Sequence, residues 1–257
     1  MWVHNLNPIF LNLGILQIRW YGLMYVLGFL FVYWYARRQI RAGSVCLTEQ
    51  ELDSWLSWAV AGMILGARLG EILIYRLEYY LANPLKMIAI WEGGLSYHGA
   101  LVGIVLAILL WCWKYKKSFL EIADVFVVPI SLANSFGRIG NFINGELPGR
   151  LTSVPWAVKF PFVEGWRHPS QLYEAFYNVI IFGILCWQSG KKRKHGVLLA
   201  AYLMMYAVFR SITEFFREPE IFVGPLTMGQ FLNAIMFVVG AGLMWWVMRK
   251  KDRSGAR

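Results

Sequence analysis

Residues 122–150 read IADVFVVPISLANSFGRIGNFINGELPGR. The first dozen are mostly apolar and suited to crossing a bilayer. The second half nevertheless carries Asn134, Arg138, Asn141, Asn144 and Glu146. Each is costly in hydrocarbon, and an Arg at a helix centre costs about 2.5–3.5 kcal/mol on insertion scales. Such a segment belongs in a membrane only if neighbours or a bound ligand compensate its polar groups. What compensates them is most of the functional question.

The bulk composition agrees with a membrane setting. The chain has 257 residues, 58% of them hydrophobic and 16% charged, with a mean hydropathy of +0.48. Soluble domains run at about 45–50% apolar and about 25% charged. A net charge of +10 would suit nucleic acid, but the basic residues sit in short clusters between apolar runs, so no nucleic-acid partner is expected. The N-terminus, MWVHNLNPIF, lacks a basic n-region, so no cleavable signal sequence is expected. Cys46, Cys112 and Cys186 form no CxxC, and the four histidines show no HExxH or other ligand spacing. Neither a metal nor a cofactor is called for, and the cysteines read as packing residues.

Seven apolar runs stand out, at about 15–36, 55–75, 95–113, 122–143, 171–188, 196–216 and 227–248. Each is near the roughly 20 residues that span hydrocarbon. Fifteen Lys and Arg residues follow the first, third, fifth and seventh runs, seven lie on the alternate side, and Arg68, Arg138 and Arg210 lie inside runs. The positive-inside rule then places the N-terminus outside and the C-terminus in the cytoplasm. The expected fold is an all-α integral membrane protein of seven transmembrane helices, one polytopic domain over residues 1–257. The connection at about 144–169 holds Pro148, Pro155, Pro161 and Pro169 with Trp156 and Trp166, and reads as a small ordered extracytoplasmic (periplasmic) cap.

That topology assigns depth. Asn134, Arg138 and Asn141 are spaced i, i+4, i+7 and share one face in the outer half of the fourth segment. Gly137 and Gly140 beside them admit a neighbouring helix or a bulky ligand. Arg68 and Glu71 lie in the outer half of the second segment, and Arg210, Glu214 and Arg217 at the outer end of the sixth. His98 falls in the first turn of the third, and Tyr21 and Tyr25 near the outer end of the first. Five segments thus bring polar groups to one depth.

Plainer readings stand beside this one. Arg68–Glu71 and Arg210–Glu214 would also serve as internally neutralised pairs, Arg217 as a snorkelling residue, and His98 as a structural histidine. Arg138 has no acid within one turn of its own helix, so it either pairs with Glu71, Glu146 or Glu214 or binds an anion. A guanidinium fork suits phosphate, and the natural anion at that depth is a phospholipid headgroup. Asn141, Asn144 and Tyr21 would then bond its glycerol hydroxyls.

At this point GRIGNFINGELPGR closely resembles the signature of the prolipoprotein diacylglyceryl transferases. IRWYGLMY, GARLGEILIY, GGLSYHGALVG, RHPSQLYEA and FRSITEFFREP resemble the family's other blocks, in its order, so the likeness covers essentially the whole chain. The resemblance implies an enzyme of the bacterial cytoplasmic (inner) membrane with its site toward the outer leaflet. It implies transfer of the diacylglyceryl group of phosphatidylglycerol to the lipobox cysteine thiol of prolipoproteins, giving a thioether and glycerol 1-phosphate. Carried over block by block, the family's essential arginines fall on Arg138 and Arg210, its histidine on His98 and its tyrosine on Tyr21. Asn141, Glu146, Gly149 and Glu214 occupy further family positions. HGA at 98–100 departs from the HGG of many members by one methyl group.

For that chemistry, phosphate gains negative charge as the ester departs, and preorganised guanidinium groups are the physical answer. The thiol, of pKa about 8.5, must lose a proton. His98 is the favoured base and His168 the rival. Other functional classes are a non-catalytic anionic-lipid binder or flippase and an anion transporter. Only a transferase would add a diacylglyceryl mass to a lipobox peptide.

Overall fold

The computed structural model describes residues 1–14, 17–219 and 221–250, with the backbone alone at Tyr97. Two short strands, β1 (Trp2–Val3) and β2 (Ile9–Asn12), precede β3 (Gln17–Arg19) and α1 (Trp20–Arg41). Then follow α2 (Glu49–Gly70), extended by a π-turn over Glu71–Tyr75, the short α3 (Leu77–Ala82), two 3₁₀ turns, α4 (Tyr97–Lys114) and α5 (Phe119–Asn144). After β4 (Val158–Lys159) come α6 (Ser170–Ser189), α7 (Val197–Glu214), a hairpin of β5 (Phe222–Val223) and β6 (Leu226–Thr227), and α8 (Met228–Arg249). Among the described residues the long helices coincide with the seven apolar runs.

The protein is mostly helical. Glu49–Tyr75, Phe119–Asn144, Val197–Glu214 and Met228–Arg249 are long and apolar enough to cross a membrane, and His98–Lys114 is a shorter apolar helix. The helices α1 and α6 are long but more polar. The first ends in Arg37, Arg38 and Arg41, and the second carries Gln171, Glu174, Asn178 and Gln188. The first apolar run was expected to be helical from about residue 15. Residues 15 and 16 lie outside the described residues, and 17–19 form a strand paired with β2 before the helix begins. At the other end the helix runs five residues further, because the basic cluster is as good a helix former as the apolar stretch.

The chain forms two compact units, Met1–Ala36 with Ala123–Arg257, and Arg37–Ile122. In the smaller unit, α2 meets α4 backbone to backbone. A Cβ on Gly66 would lie 2.3 Å from the Gly99 carbonyl oxygen, and one on Gly103 would lie 2.1 Å from that of Gly62. Small residues one turn apart on both helices allow this approach. The start of α2 is fixed by a capping box between Thr48 and Glu51. Glu51 also holds Lys117 at 2.8 Å, which ties the start of α2 to the loop after α4.

The larger unit has its core around Tyr35, Val128, Tyr177, Ile181, Leu185 and Leu198. Gly28 of α1 abuts Ala133 of α5, where a Cβ would come within 3.2 Å. The first turn of α7 lacks a Ser/Thr cap, since its N-cap is Gly196 in the left-handed region. Asp124 on α5 supplies the missing acceptor, taking the N–H groups of Gly196 and Leu199, each at 2.8 Å. Residues 145–169 are ordered by β1 pairing with β4 and by bridges joining Gly149 to Arg217 and Arg167 to Leu151 and Val158.

Candidate active site

Three helices of the larger unit contribute to one continuous chain of charges. Arg138, on α5, places its Nε 2.7 Å from Glu174 Oε2. The other oxygen of Glu174 accepts from Arg217 Nη1, also at 2.7 Å. Arg217 lies just past α7, and its Nε stands 3.8 Å from Glu214 Oε1. Glu214 in turn pairs with Arg210 one turn earlier on α7. Glu174 has no exposed side-chain surface and Glu214 has 6%. Three guanidinium groups and two carboxylates leave this partly buried chain one positive charge in excess.

The acid that holds Arg138 is therefore Glu174, not one of the three residues proposed from the sequence. Its signal was present: it is the one acid in the fifth apolar run, within a block already singled out. Arg217 does not snorkel, because Glu174 draws it inward. Thr227, at the N-cap of α8, was also missed; its hydroxyl donates to Glu214 Oε2 at 3.0 Å. Arg210, Glu214, Arg217, Thr227 and Gly229 line a cavity of about 190 Å³ together with Glu218, whose charge is matched by Arg167.

A second cluster adjoins Arg138 along the chain. Asn141 and Asn144 each donate to Glu146 at 3.1 Å, one to each oxygen. Glu146 lies two residues past the end of α5, beyond a turn at Gly145 with φ 72°, so its carboxylate is not within the helix. Gln171, one turn before Glu174, donates to the Glu146 carbonyl. Asn144 Oδ1 and Gln171 Oε1 are buried without a donor among the described residues. Tyr21 bonds Tyr25 at 3.0 Å and packs on α5 at Gly140, where a Cβ would come within 3.1 Å of its ring. Gly149 has a backbone reason: a Cβ there would lie 2.4 Å from the Phe216 carbonyl oxygen.

His168 sits in a relay. Trp156 Nε1 donates to the Tyr173 hydroxyl at 2.7 Å, and that hydroxyl lies 3.0 Å from His168 Nδ1. An indole only donates, so the Tyr173 proton is best used on Nδ1. This assignment, made from the hydrogen-bond network, leaves the ring proton on Nε2. Burial holds the imidazole below its ordinary pKa, which favours the neutral ring. So placed, His168 offers a donor and no accepting lone pair.

The smaller unit holds the remaining candidates. Arg68 is buried, and all five of its N–H groups meet backbone carbonyls of the following connection. They reach Met87 at 2.9 Å, Gly93 at 2.7 Å, Gly94 at 2.8 Å and Ala89 at 3.3 Å, with Lys86 the fifth. Its guanidinium also lies over the Tyr80 ring. Arg68 thereby organises residues 86–94, and Glu71 pairs with Arg76 at 3.4 Å. His98 is exposed in the first turn of α4, its Nδ1 3.4 Å from the Tyr75 hydroxyl.

Comparison of the sequence with known proteins matches the chain to one family. The family description "Prolipoprotein diacylglyceryl transferase" fits residues 8–246. A phosphatidylglycerol–prolipoprotein diacylglyceryl transferase of Bordetella parapertussis is 44% identical, over 97% of this chain and 98% of its own. The Geobacter sulfurreducens enzyme of that name is 43% identical, over 96% and 97%. The one from Pseudoalteromonas translucida is 41% identical, over 98% and 96%. With such likeness along nearly its full length, the chain belongs to the prolipoprotein diacylglyceryl transferase family.

Proposed function

We propose that the chain transfers the diacylglyceryl group of phosphatidylglycerol to the lipobox cysteine thiol of prolipoproteins, the first step of bacterial lipoprotein maturation. The observation that carries this reading to particular atoms is the charge chain Arg138–Glu174–Arg217–Glu214–Arg210, with its single excess positive charge. A phosphodiester carries one negative charge and would complete it. The acceptors on Asn144 and Gln171 that lack a donor among the described residues suit the hydroxyls of a glycerol headgroup.

In the reaction, the thiolate sulfur attacks the diacylglyceryl carbon that bears the phosphate. The carbon–oxygen bond to phosphate breaks, and glycerol 1-phosphate leaves. Charge grows on the departing phosphate, where Arg138 and Arg210 hold it; each loses about 10²–10³ in rate when such a donor is removed. Glu174 and Glu214 fix the guanidinium planes, so that little reorganisation remains at the moment of bond breaking. Arg217 shares Glu174 with Arg138 and lines the cavity beside Arg210. His98 is the base proposed from the sequence for the thiol proton, since His168 presents Nε2–H. Substrate supplies the nucleophile, and Cys46, Cys112 and Cys186 take no part.

The chain crosses the bacterial inner membrane seven times as one polytopic domain, N-terminus outside. Its charge chain faces the outer leaflet, where both the lipid and the exported precursor are met. Support comes from the distribution of basic residues and from the apolar helices. Residues 144–169 form the periplasmic cap. The test is reconstitution in vesicles containing phosphatidylglycerol, with a lipobox peptide read by mass. Gain of a diacylglyceryl increment supports the reading. Lipid translocation or anion flux without that increment would instead favour a flippase or a transporter.

A further inference from the structure

The start of α8 meets the charge chain through one hydroxyl. Thr227 is buried, and its Oγ accepts the N–H of Gln230 at 3.1 Å while Gln230 Oε1 accepts the Thr227 N–H, a full capping box. The same hydroxyl donates to Glu214 Oε2 at 3.0 Å. Accepting on one side fixes where its proton points on the other. Glu214 thus receives Arg210 on Oε1 and Thr227 on Oε2. Gly229, in the first turn of the same helix, completes the fit: a Cβ there would lie 2.6 Å from Glu214 Oε1.

A carboxylate held at both oxygens is restrained from rotating, and the guanidinium bonded to it is restrained in turn. We propose that Thr227 is a positioning residue for the reaction: it locks Glu214, and through Glu214 it aims Arg210 at the departing phosphate. Gly229 is the clearance that lets the carboxylate sit there. This rests on the reading of Arg210 as a phosphate ligand. Thr227 does not touch the reacting atoms. Its contribution appears in the transition state, where the contact between Arg210 and phosphate tightens, and therefore in kcat more than in KM.

The smaller unit provides an internal control. Thr48 makes the same capping box at the start of α2, with Glu51. The experiment uses the full-length protein in phosphatidylglycerol vesicles with a lipobox peptide, measuring kcat, KM and thermal unfolding. Wild type comes first: failure to transfer any diacylglyceryl group removes the underlying reading and not the positioning step alone. With transfer established, Thr227→Val should lower kcat by about tenfold or more, as expected for a lost bond to a charged group, with KM moving less. Thr227→Ser should recover most of that rate. Gly229→Ala should reproduce the kcat loss with the cap intact. Thr48→Val should lose thermal stability while keeping kcat. The proposal is overturned if Thr227→Val keeps its kcat while losing stability, or if Thr48→Val loses as much rate as Thr227→Val.

Discussion

Nε of Arg138 lies 2.7 Å from Oε2 of Glu174, a carboxylate with no exposed side-chain surface. Because Arg217 holds the other oxygen at the same distance, a single acid from α6 compensates guanidinium groups from two other elements. The costly arginine of the opening stretch is thus half of an ion pair and also the end of a longer chain.

Removing that acid should be severe. Glu174→Ala leaves Arg138 and Arg217 without their shared partner, and breaking a buried pair costs about 3–5 kcal/mol. Thermal unfolding in detergent should register the loss, and transfer should be nearly abolished. Glu174→Gln keeps the shape and one acceptor, so it should be the milder variant in stability. Equal stability of Glu174→Ala and wild type would show that the bridge compensates nothing.

At α7 the pair can be separated into structural and chemical parts. Should Arg210 and Glu214 exist only to neutralise each other, removing both would be far milder than removing Arg210 alone. The phosphate-binding role predicts otherwise: Arg210→Ala and the double variant with Glu214→Ala both nearly inactive, and Glu214→Ala partly active. Arg210→Lys should also fall short, since a point charge lacks the bidentate fork. Initial rates at saturating phosphatidylglycerol decide it.

The two histidines should part company with pH. His98→Gln should lower turnover strongly, with a deficit that shrinks as pH rises toward the thiol pKa of about 8.5, where thiolate forms unaided. His168→Gln should show a loss that does not shrink in this way, as for a hydrogen-bond donor. Stability has its own sign. The folded imidazole of His168 titrates below its ordinary value, so the unfolded chain takes up the proton first. Stability therefore falls as pH drops through about 6.5 and levels off below the folded pKa. His168→Gln should remove that slope in a pH series of thermal unfolding.

Topology is checked by labelling. In a variant lacking the three native cysteines, single cysteines near residues 40 and 192 should be shielded from an impermeant thiol reagent in intact cells. Those near 85 and 160 should react. Labelling at 192 from outside would invert the proposed depth of every site residue.

Much of this arrangement is legible in the sequence. Apolar runs of about 20 residues suit helices in a bilayer, and among the described residues each run holds a long helix. Arg210–Glu214 was visible as an i, i+4 pair. Glu174 stands in an otherwise apolar run on another helix, and nothing local to it marks it as the partner of Arg138. Arg68 was beyond reach for a different reason. Its acceptors are backbone carbonyls, which every residue has, and their convergence depends on how residues 86–94 fold back. Thr227 reads in sequence as the start of a capping box, and nothing local to it announces Glu214.

The bridge at Glu174 also bears on how the chain is made. Arg138 leaves the ribosome 36 residues before Glu174, which at about 5–20 residues per second is an interval of about 2–7 s. Throughout it Arg138 lacks the partner it has in the folded chain. For α5 to cross the membrane as proposed, its arginine must be sheltered or tolerated until α6 is made. Maturation of the enzyme is then a matter of timing as well as of hydropathy, with the proposed membrane crossing of α5 completed by a residue not yet translated when that helix first meets lipid.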